Sequence, residues 1–159
     1  MSNKFEILMN QLDMPLEMRN SEAFLNAEIE KVLVHKVSRV WEFHFSFANI
    51  LPIEIFRELQ KRLAQEFSKT GNQAVFEIHC QAPQVSDELL QAYYQLAFEE
   101  GPCASHGFKS LYQDLRVHLD GDKLLIEGAS TIDTEHFRKN HLPNLSQQLV
   151  KYGFPRLTC

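Results

Sequence analysis

The run WEFHFSF, residues 41–47, alternates without a break: Trp41, Phe43, Phe45 and Phe47 fall on one side of an extended chain, Glu42, His44 and Ser46 on the other. Successive side chains of a strand point to opposite faces, so the pattern predicts a half-buried β-strand rather than an amphipathic helix. A row of four aromatic rings needs apolar cover. The next segment can supply it: Pro52 sits where a first helical residue belongs, and Ile55, Phe56, Leu59, Leu63 and Phe67 then recur at helical spacing to about Thr70. Left uncovered, the rings would be a base-stacking platform, with stacking worth about 1–3 kcal/mol per base. The covering helix favours the core.

Other elements assemble around this pair. IEKVLVHKV, residues 29–37, supplies a partner strand, and with only Ser38 and Arg39 between the runs a tight hairpin is expected, although the Asn-Gly signature is missing. KTGN stops the helix, AVFEIHC alternates again as a third strand, and Pro83 ends it. Upstream, Phe5, Leu8, Met9 and Leu12 mark an opening helix, followed by MPLEMRNSEAFLNAE, a loop with some helix. The first eighty or so residues read α, β, β, α, β.

The second half starts with a helix capped by Ser86, with Asp87 and Glu88 in its first turn, where carboxylates favour the positive end of the helix dipole, and it stops at Gly101-Pro102. SHGFKSLYQ reads as a short helix. LRVHL and KLLIEG flank DGD, residues 120–122, the strongest hairpin signal in the chain. Thr131 or Asp133 can cap a further helix, Pro143 starts another, and Gly153 follows its end. RLTC is expected to open a strand. Each half thus has a helix, a hairpin, a helical segment and a further strand, which predicts an α+β protein of two small αββαβ-type domains, 1–82 and 83–159, joined near QAPQV, residues 81–85.

Charge and cysteine limit the function. The formal charge is -5, with nine Lys and Arg against ten Asp and Glu in residues 1–70 and seven against eleven in 71–159. A dedicated nucleic-acid binder carries a basic footprint, so any such contact here must be local. From Thr131 onward the balance reverses, with Arg138, Lys139, Lys151 and Arg156 against Asp133 and Glu135. Cys80, Cys103 and Cys159 have no C-x-x-C spacing, which suits free thiols in a reducing compartment. No apolar run approaches the roughly 18–20 residues of a membrane span, and MSNKFEILMNQLDM lacks the features of a signal peptide, so a cytoplasmic protein without membrane contact is expected.

The second half's order, α, β, β, α, α, β, is that of a type II KH domain. In nucleic-acid-binding KH domains the two adjacent helices are joined by a G-x-x-G loop that lets backbone approach four nucleotides. Here the turn is Asn140, His141, Leu142 and Pro143, a KH turn without glycine. Through AEIEKVLVHKVSRVWEFHF, the helix after ILP, and the ending YGFPRLT, the sequence resembles the N-terminal region of the PolC-type α subunit of DNA polymerase III, the replicative polymerase of low-GC Gram-positive bacteria. The resemblance covers essentially the whole chain. It implies a first domain like the C-terminal domain of the clamp-loader τ subunit, a shortened KH-like fold, and a second like a type II KH domain. It also implies a parent DNA-directed DNA polymerase with 3′–5′ exonuclease and Mg2+ in segments beyond residue 159, and no catalytic residue or cofactor in these 159. The role implied is accessory, in contact with replisome proteins, a clamp-loader subunit or others, and with single-stranded or primed DNA. The alternative is a stand-alone KH-like RNA-binding protein, which the turn and the acidic charge disfavour.

Other polar residues read as structural. His79 and Cys80 are adjacent on a strand, face opposite sides and cannot share a metal ion. His44 and His118 are expected at solvated strand positions, Glu99 with Glu100 and Asp120 with Asp122 as solvated charges, and His136 and His141 flank the turn. No P-loop, G-x-G-x-x-G or nucleophile motif occurs. Arg138, Lys139, Lys151 and Arg156 are the candidate nucleic-acid contacts.

Overall fold

The computed structural model describes residues 3–101, 112–127, 135 and 138–157. The chain divides into two compact units, Met1–Gln84 and Val85–Cys159.

In the first unit, α1 (Asn3–Gln11), a short α2 (Leu16–Arg19) and a 3-10 turn (Glu22–Phe24) lead into β1 (Glu28–His35) and β2 (Val40–Phe47), then α3 (Ile53–Ser68) and β3 (Gln73–Cys80). The sheet order is β1-β2-β3, with β1 antiparallel and β3 parallel to β2. A parallel neighbour requires a crossover, and α3 supplies it. In register, Phe43 lies between Val32 and Phe76, and Trp41 between Val34 and Ala74.

The aromatic face is core: Phe45 and Phe47 are fully buried and Phe43 nearly so. Phe5 of α1 meets Phe24, Phe45 and Phe47 at ring separations of 5.3, 5.8 and 5.6 Å. From α3, Phe56 reaches Phe76, and Phe67 covers Trp41 and Phe43 at 5.2 and 5.5 Å. Arg62 of α3 donates to the carbonyl of Asp13 (2.5 Å), tying down the turn after α1, while Glu58 accepts from its Nε.

Two local expectations shift. Pro52 is the N-cap of α3 rather than its first helical residue, its ψ of 143° being extended. The β1–β2 turn spans four residues, 36–39, because the ladder closes at His35–Val40, so Lys36 and Val37 leave the strand and Val37 is fully exposed. Arg39 takes a positive φ of 60° there, held by donation from Nη2 to the Thr70 carbonyl (2.9 Å) and by the bond from the Gln73 amide to its own carbonyl (2.9 Å).

In the second unit, α4 (Asp87–Glu99) is capped as expected, Ser86 Oγ accepting from the Leu89 amide at 3.1 Å. The hairpin pairs β4 (Val117–Asp120) with β5 (Lys123–Ile126), leaving Gly121 and Asp122 as its loop, with Gly121 at φ +64°. Gln91 of α4 holds the strand entry, donating to the Leu115 carbonyl (3.0 Å) and accepting from the Val117 amide (2.9 Å). His118 bridges the first turn of α4 to the end of β5, with Nδ1 3.2 Å from Asp87 Oδ2 and Nε2 2.7 Å from Glu127 Oε1. It is therefore paired rather than simply solvated. The segment SHGFKSLYQ, the proposed caps Thr131 and Asp133, His136, Cys103 and Cys159 lie outside the described residues, apart from Tyr112 and Gln113.

The final helix α5 (Leu142–Lys151) ends in a Schellman motif: Phe154 N–H donates to Leu149 and Gly153 N–H to Val150, with Gly153 at φ +107°. Tyr93 of α4 packs on Tyr152 and Phe154 at 5.1 and 5.4 Å. A polar chain runs beneath. Gln148 donates to Tyr152 Oη (3.0 Å) and Tyr152 donates to Glu100 (2.7 Å), so Glu100 is not the solvated charge expected of it. Burial keeps the Tyr152 phenol protonated far above the ordinary tyrosine range. The expected strand at RLTC does not form over residues 156–157: the Leu157 amide and carbonyl both engage the buried Ser146 hydroxyl at 3.4 Å instead of a neighbouring strand. The described part of this unit holds only the β4–β5 pair, and the match between halves stops before its last strand.

Phe45→Ala should lower the stability of the first unit by about 3–5 kcal/mol, read by chemical denaturation, since a buried ring and its aromatic neighbours are lost together. Gly101→Ala should cost the second unit about 1–3 kcal/mol by the same measurement. Gly101 has a φ of +75°, and an added Cβ would lie 2.3 Å from Oε1 of buried Gln148. The His118 imidazolium is favoured first by its hydrogen bond to Asp87 and then by that to Glu127, which raise its pKa. Its stabilisation is thus complete below the ordinary histidine value and is lost as pH rises through the raised folded value. An NMR titration should show the His118 ring titrating above the ordinary range, and Asp87→Asn should bring it down.

Candidate nucleic-acid interface

The turn between the last two helices is narrower than its sequence suggests. Residues 138–140 are helical and α5 resumes at Leu142, so Asn140 belongs to the first helix, Leu142 and Pro143 to the second, and His141 alone is the break, at φ -124° and ψ -30°. Its carbonyl accepts the first bond of α5, from the Leu145 amide at 3.0 Å, and its ring lies 6.2 Å from Tyr112. Leu142 is buried, which anchors the corner. Proline at the start of α5 removes one of the unpaired amides that a helix N-terminus offers an anion. None of the four residues Asn140, His141, Leu142 and Pro143 is a glycine, so the backbone here is less open than that of a glycine loop.

The basic candidates are all exposed, but they do not form one patch. Arg138 and Lys139 sit just before the break. Lys151 is in the last turn of α5, and Arg156 follows the helix. A ten-residue helix is about 15 Å long, so the two pairs lie at opposite ends of α5. Two cations per end can hold a phosphate or two, without the continuous track of a dedicated binder.

Two further polar surfaces were not evident in the sequence. One is the face of the three-stranded sheet opposite the aromatic core, where His44 lies 2.5 Å from Glu42 and 3.7 Å from Glu77, His79 lies 3.3 Å from Glu30, and His35 lies 3.8 Å from Glu42. The alternation of WEFHFSF predicts which residues share this face; the pairings depend on a strand register that sequence spacing does not contain. His79 is exposed there while Cys80 is buried on the core side, where burial pushes its thiol up to about 11. A thiol so placed is not a nucleophile at neutral pH. The second surface is an open groove of about 710 Å3 beside α4, lined by Asp87, Gln91, Asp114, Arg116 and His118 among others. Among the described residues no group of three or more His, Cys, Asp or Glu is placed to hold a metal ion, and no helix is long and apolar enough to cross a membrane.

Comparison with known proteins gives these surfaces a context. Residues 4–78 match the family model "DNA polymerase III polC-type N-terminus I" and residues 92–159 match "DNA polymerase III polC-type N-terminus II". Over all 159 residues the chain is 99% identical to a DNA polymerase III PolC-type of Streptococcus sanguinis and 65% identical to one of Streptococcus pneumoniae. Over 157 residues it is 48% identical to one of Streptococcus agalactiae. The chain spans 11% of the length of each of these curated relatives. No solved structure shows a significant match. With both compact units matched and identity extending along the whole chain, the protein belongs to the PolC-type DNA polymerase III family, as its N-terminal I and II region.

Proposed function

We propose that this chain is a non-catalytic N-terminal module of a replicative DNA-directed DNA polymerase whose parent chain also carries a 3′–5′ exonuclease. Within DNA replication it serves as an interaction platform for replisome proteins, a clamp-loader subunit or others, with a weak contact to single-stranded or primed DNA. The observation that supports this reading is the pair of PolC-type N-terminal matches, one falling in each compact unit. In this reading residues 1–82 act as a module like the C-terminal domain of the clamp-loader τ subunit, and residues 83–159 as a type II KH-like module whose turn at Asn140, His141, Leu142 and Pro143 has lost its glycines. Polymerisation and its Mg2+ belong to the rest of the parent chain, in the cytoplasm, and no residue of these 159 is assigned to the chemistry. A stand-alone RNA-binding protein of KH type has no comparable support, because both family matches point to the polymerase.

DNA contact in this reading runs through Arg138 and Lys139. Neutralising about two phosphates gives a shallow salt dependence, with a slope of log K against log salt of about -1.4 for a single strand. Anisotropy of a labelled single-stranded oligonucleotide at several salt concentrations should show weak binding of this kind, abolished by Arg138→Glu with Lys139→Glu. Tight binding that survives the double change would remove the turn as the contact. Absence of binding at any salt would leave the protein-interaction role alone.

A further inference from the structure

Trp41 is the one ring of the aromatic row that the fold leaves half-buried, while Phe43, Phe45 and Phe47 are buried. Phe67 covers it from α3 at a ring separation of 5.2 Å and Ala74 lies beside it on β3, but its β1 neighbour Val34 is 46% exposed, so the ring is thinly covered on that side. The end of the sheet where Trp41 stands is cationic. The β1–β2 turn and the loop after α3 meet there through the bond from Arg39 to the Thr70 carbonyl, and the stretches 34–41 and 67–76 hold Lys36, Arg39 and Lys69 with no Asp or Glu. Lys36 and Arg39 are exposed and, among the described residues, have no carboxylate partner. Lys69 donates to Glu66 at 2.9 Å, and Glu42 is engaged with His35 and His44 on the opposite face of the sheet. The end of α3 adds little negative charge, because the Thr70 carbonyl accepts from Arg39 and the Phe67 carbonyl from the Thr70 and Asn72 amides.

We propose that this corner of the first unit binds single-stranded nucleic acid, with one base stacked on the open side of Trp41 and the flanking phosphates on Lys36, Arg39 and Lys69. Two independent features select that occupant. The cations suit a polyanion, and the half-buried indole beside them suits a flat π-face; an unpaired strand supplies both at adjacent positions, whereas carboxylates alone meet only the first. In a duplex the base faces are already stacked, so the preference is for unpaired strand. One base and two or so phosphates give a dissociation constant on the order of a millimolar. That is too weak for an anisotropy titration at micromolar protein to register, so this contact is separate from the one at Arg138 and Lys139. A strand tethered beside a polymerase reaches effective concentrations of about that order, which is where such a contact is occupied. That use rests on the proposed role; the binding itself does not.

Trp41 is the only tryptophan of the chain, so its fluorescence reports this corner alone. Titration of the 159-residue chain with oligothymidylate up to millimolar concentration should give saturable quenching. An abasic strand of the same length, which keeps the phosphates, should bind at least about fivefold more weakly. Lys36→Glu with Lys69→Glu, which leaves the Arg39 turn in place, should weaken the oligothymidylate binding about tenfold. Arg138→Glu with Lys139→Glu should leave the quenching unchanged. Circular dichroism shows whether each variant keeps its fold, and Lys36→Gln with Lys69→Gln carries the test should the charge reversal unfold the unit. Quenching that is absent at millimolar strand, equal with the abasic strand or with polyglutamate, insensitive to Lys36 and Lys69, or lost with Arg138 and Lys139 would overturn the site. Quenching retained in a chain that gives no anisotropy signal would remove the turn contact and leave this one standing.

Discussion

The packing of one aromatic row organises the first unit. Phe43, Phe45 and Phe47 must leave water on the same side of β2, and each ring finds apolar partners from a different part of the chain: Phe5 and Phe24 at one end, Phe76 beside Phe45, Phe67 at the other. Full burial of a large side chain is worth about 1.5–3 kcal/mol, so a row of three outweighs any single polar contact in the unit. Both long helices of this unit, α1 and α3, are committed to that face. Glu42, His44 and Glu77 therefore stand over a solvated sheet surface and pair with one another, and His79 pairs there with Glu30. The same commitment leaves β1 as a thinly covered edge.

The second unit is joined differently. Its α4 and α5 meet through aromatic rings, but the seam also contains buried polar groups, Gln148, Tyr152 and Ser146, that must be satisfied in place. Tyr152 solves this by lying between Gln148 and Glu100, and Ser146 by holding both backbone groups of Leu157. Such a seam tolerates little change, because removing one partner leaves another buried and unpaired. The requirement for glycine at residue 101 has the same origin: the chain turns there against the end of Gln148.

Electrostatics separates what this region can do from what a nucleic-acid domain does. The basic residues of the last segment are set at the two ends of α5, in a chain of net charge -5, and the break between the helices carries no glycine. The family match extends along both compact units; two cations at each end of α5 leave room for a phosphate or two at each.

What the sequence determined by itself is local. The alternation of WEFHFSF, the helical spacing from Ile55 to Phe67, the Ser86 cap, the DGD hairpin and Gly153 after the last helix each depend on neighbours within a few residues, and each is found where its pattern places it. The core role of Phe43, Phe45 and Phe47 was legible too, because a covering helix followed them directly. The break at residues 140–143 was visible, although Pro143 starts the second helix so early that His141 alone remains outside both. Only the tertiary structure decided the rest. The four-residue turn at 36–39 depends on Arg39 being held by Thr70 and Gln73, more than thirty residues away. The engagement of His118 and Glu100 depends on side chains brought close by packing, and no strand forms at residues 156–157, where Ser146 takes both backbone groups of Leu157. Spacing along a chain records which face a residue occupies; which group stands opposite it is set by the register and packing of distant segments.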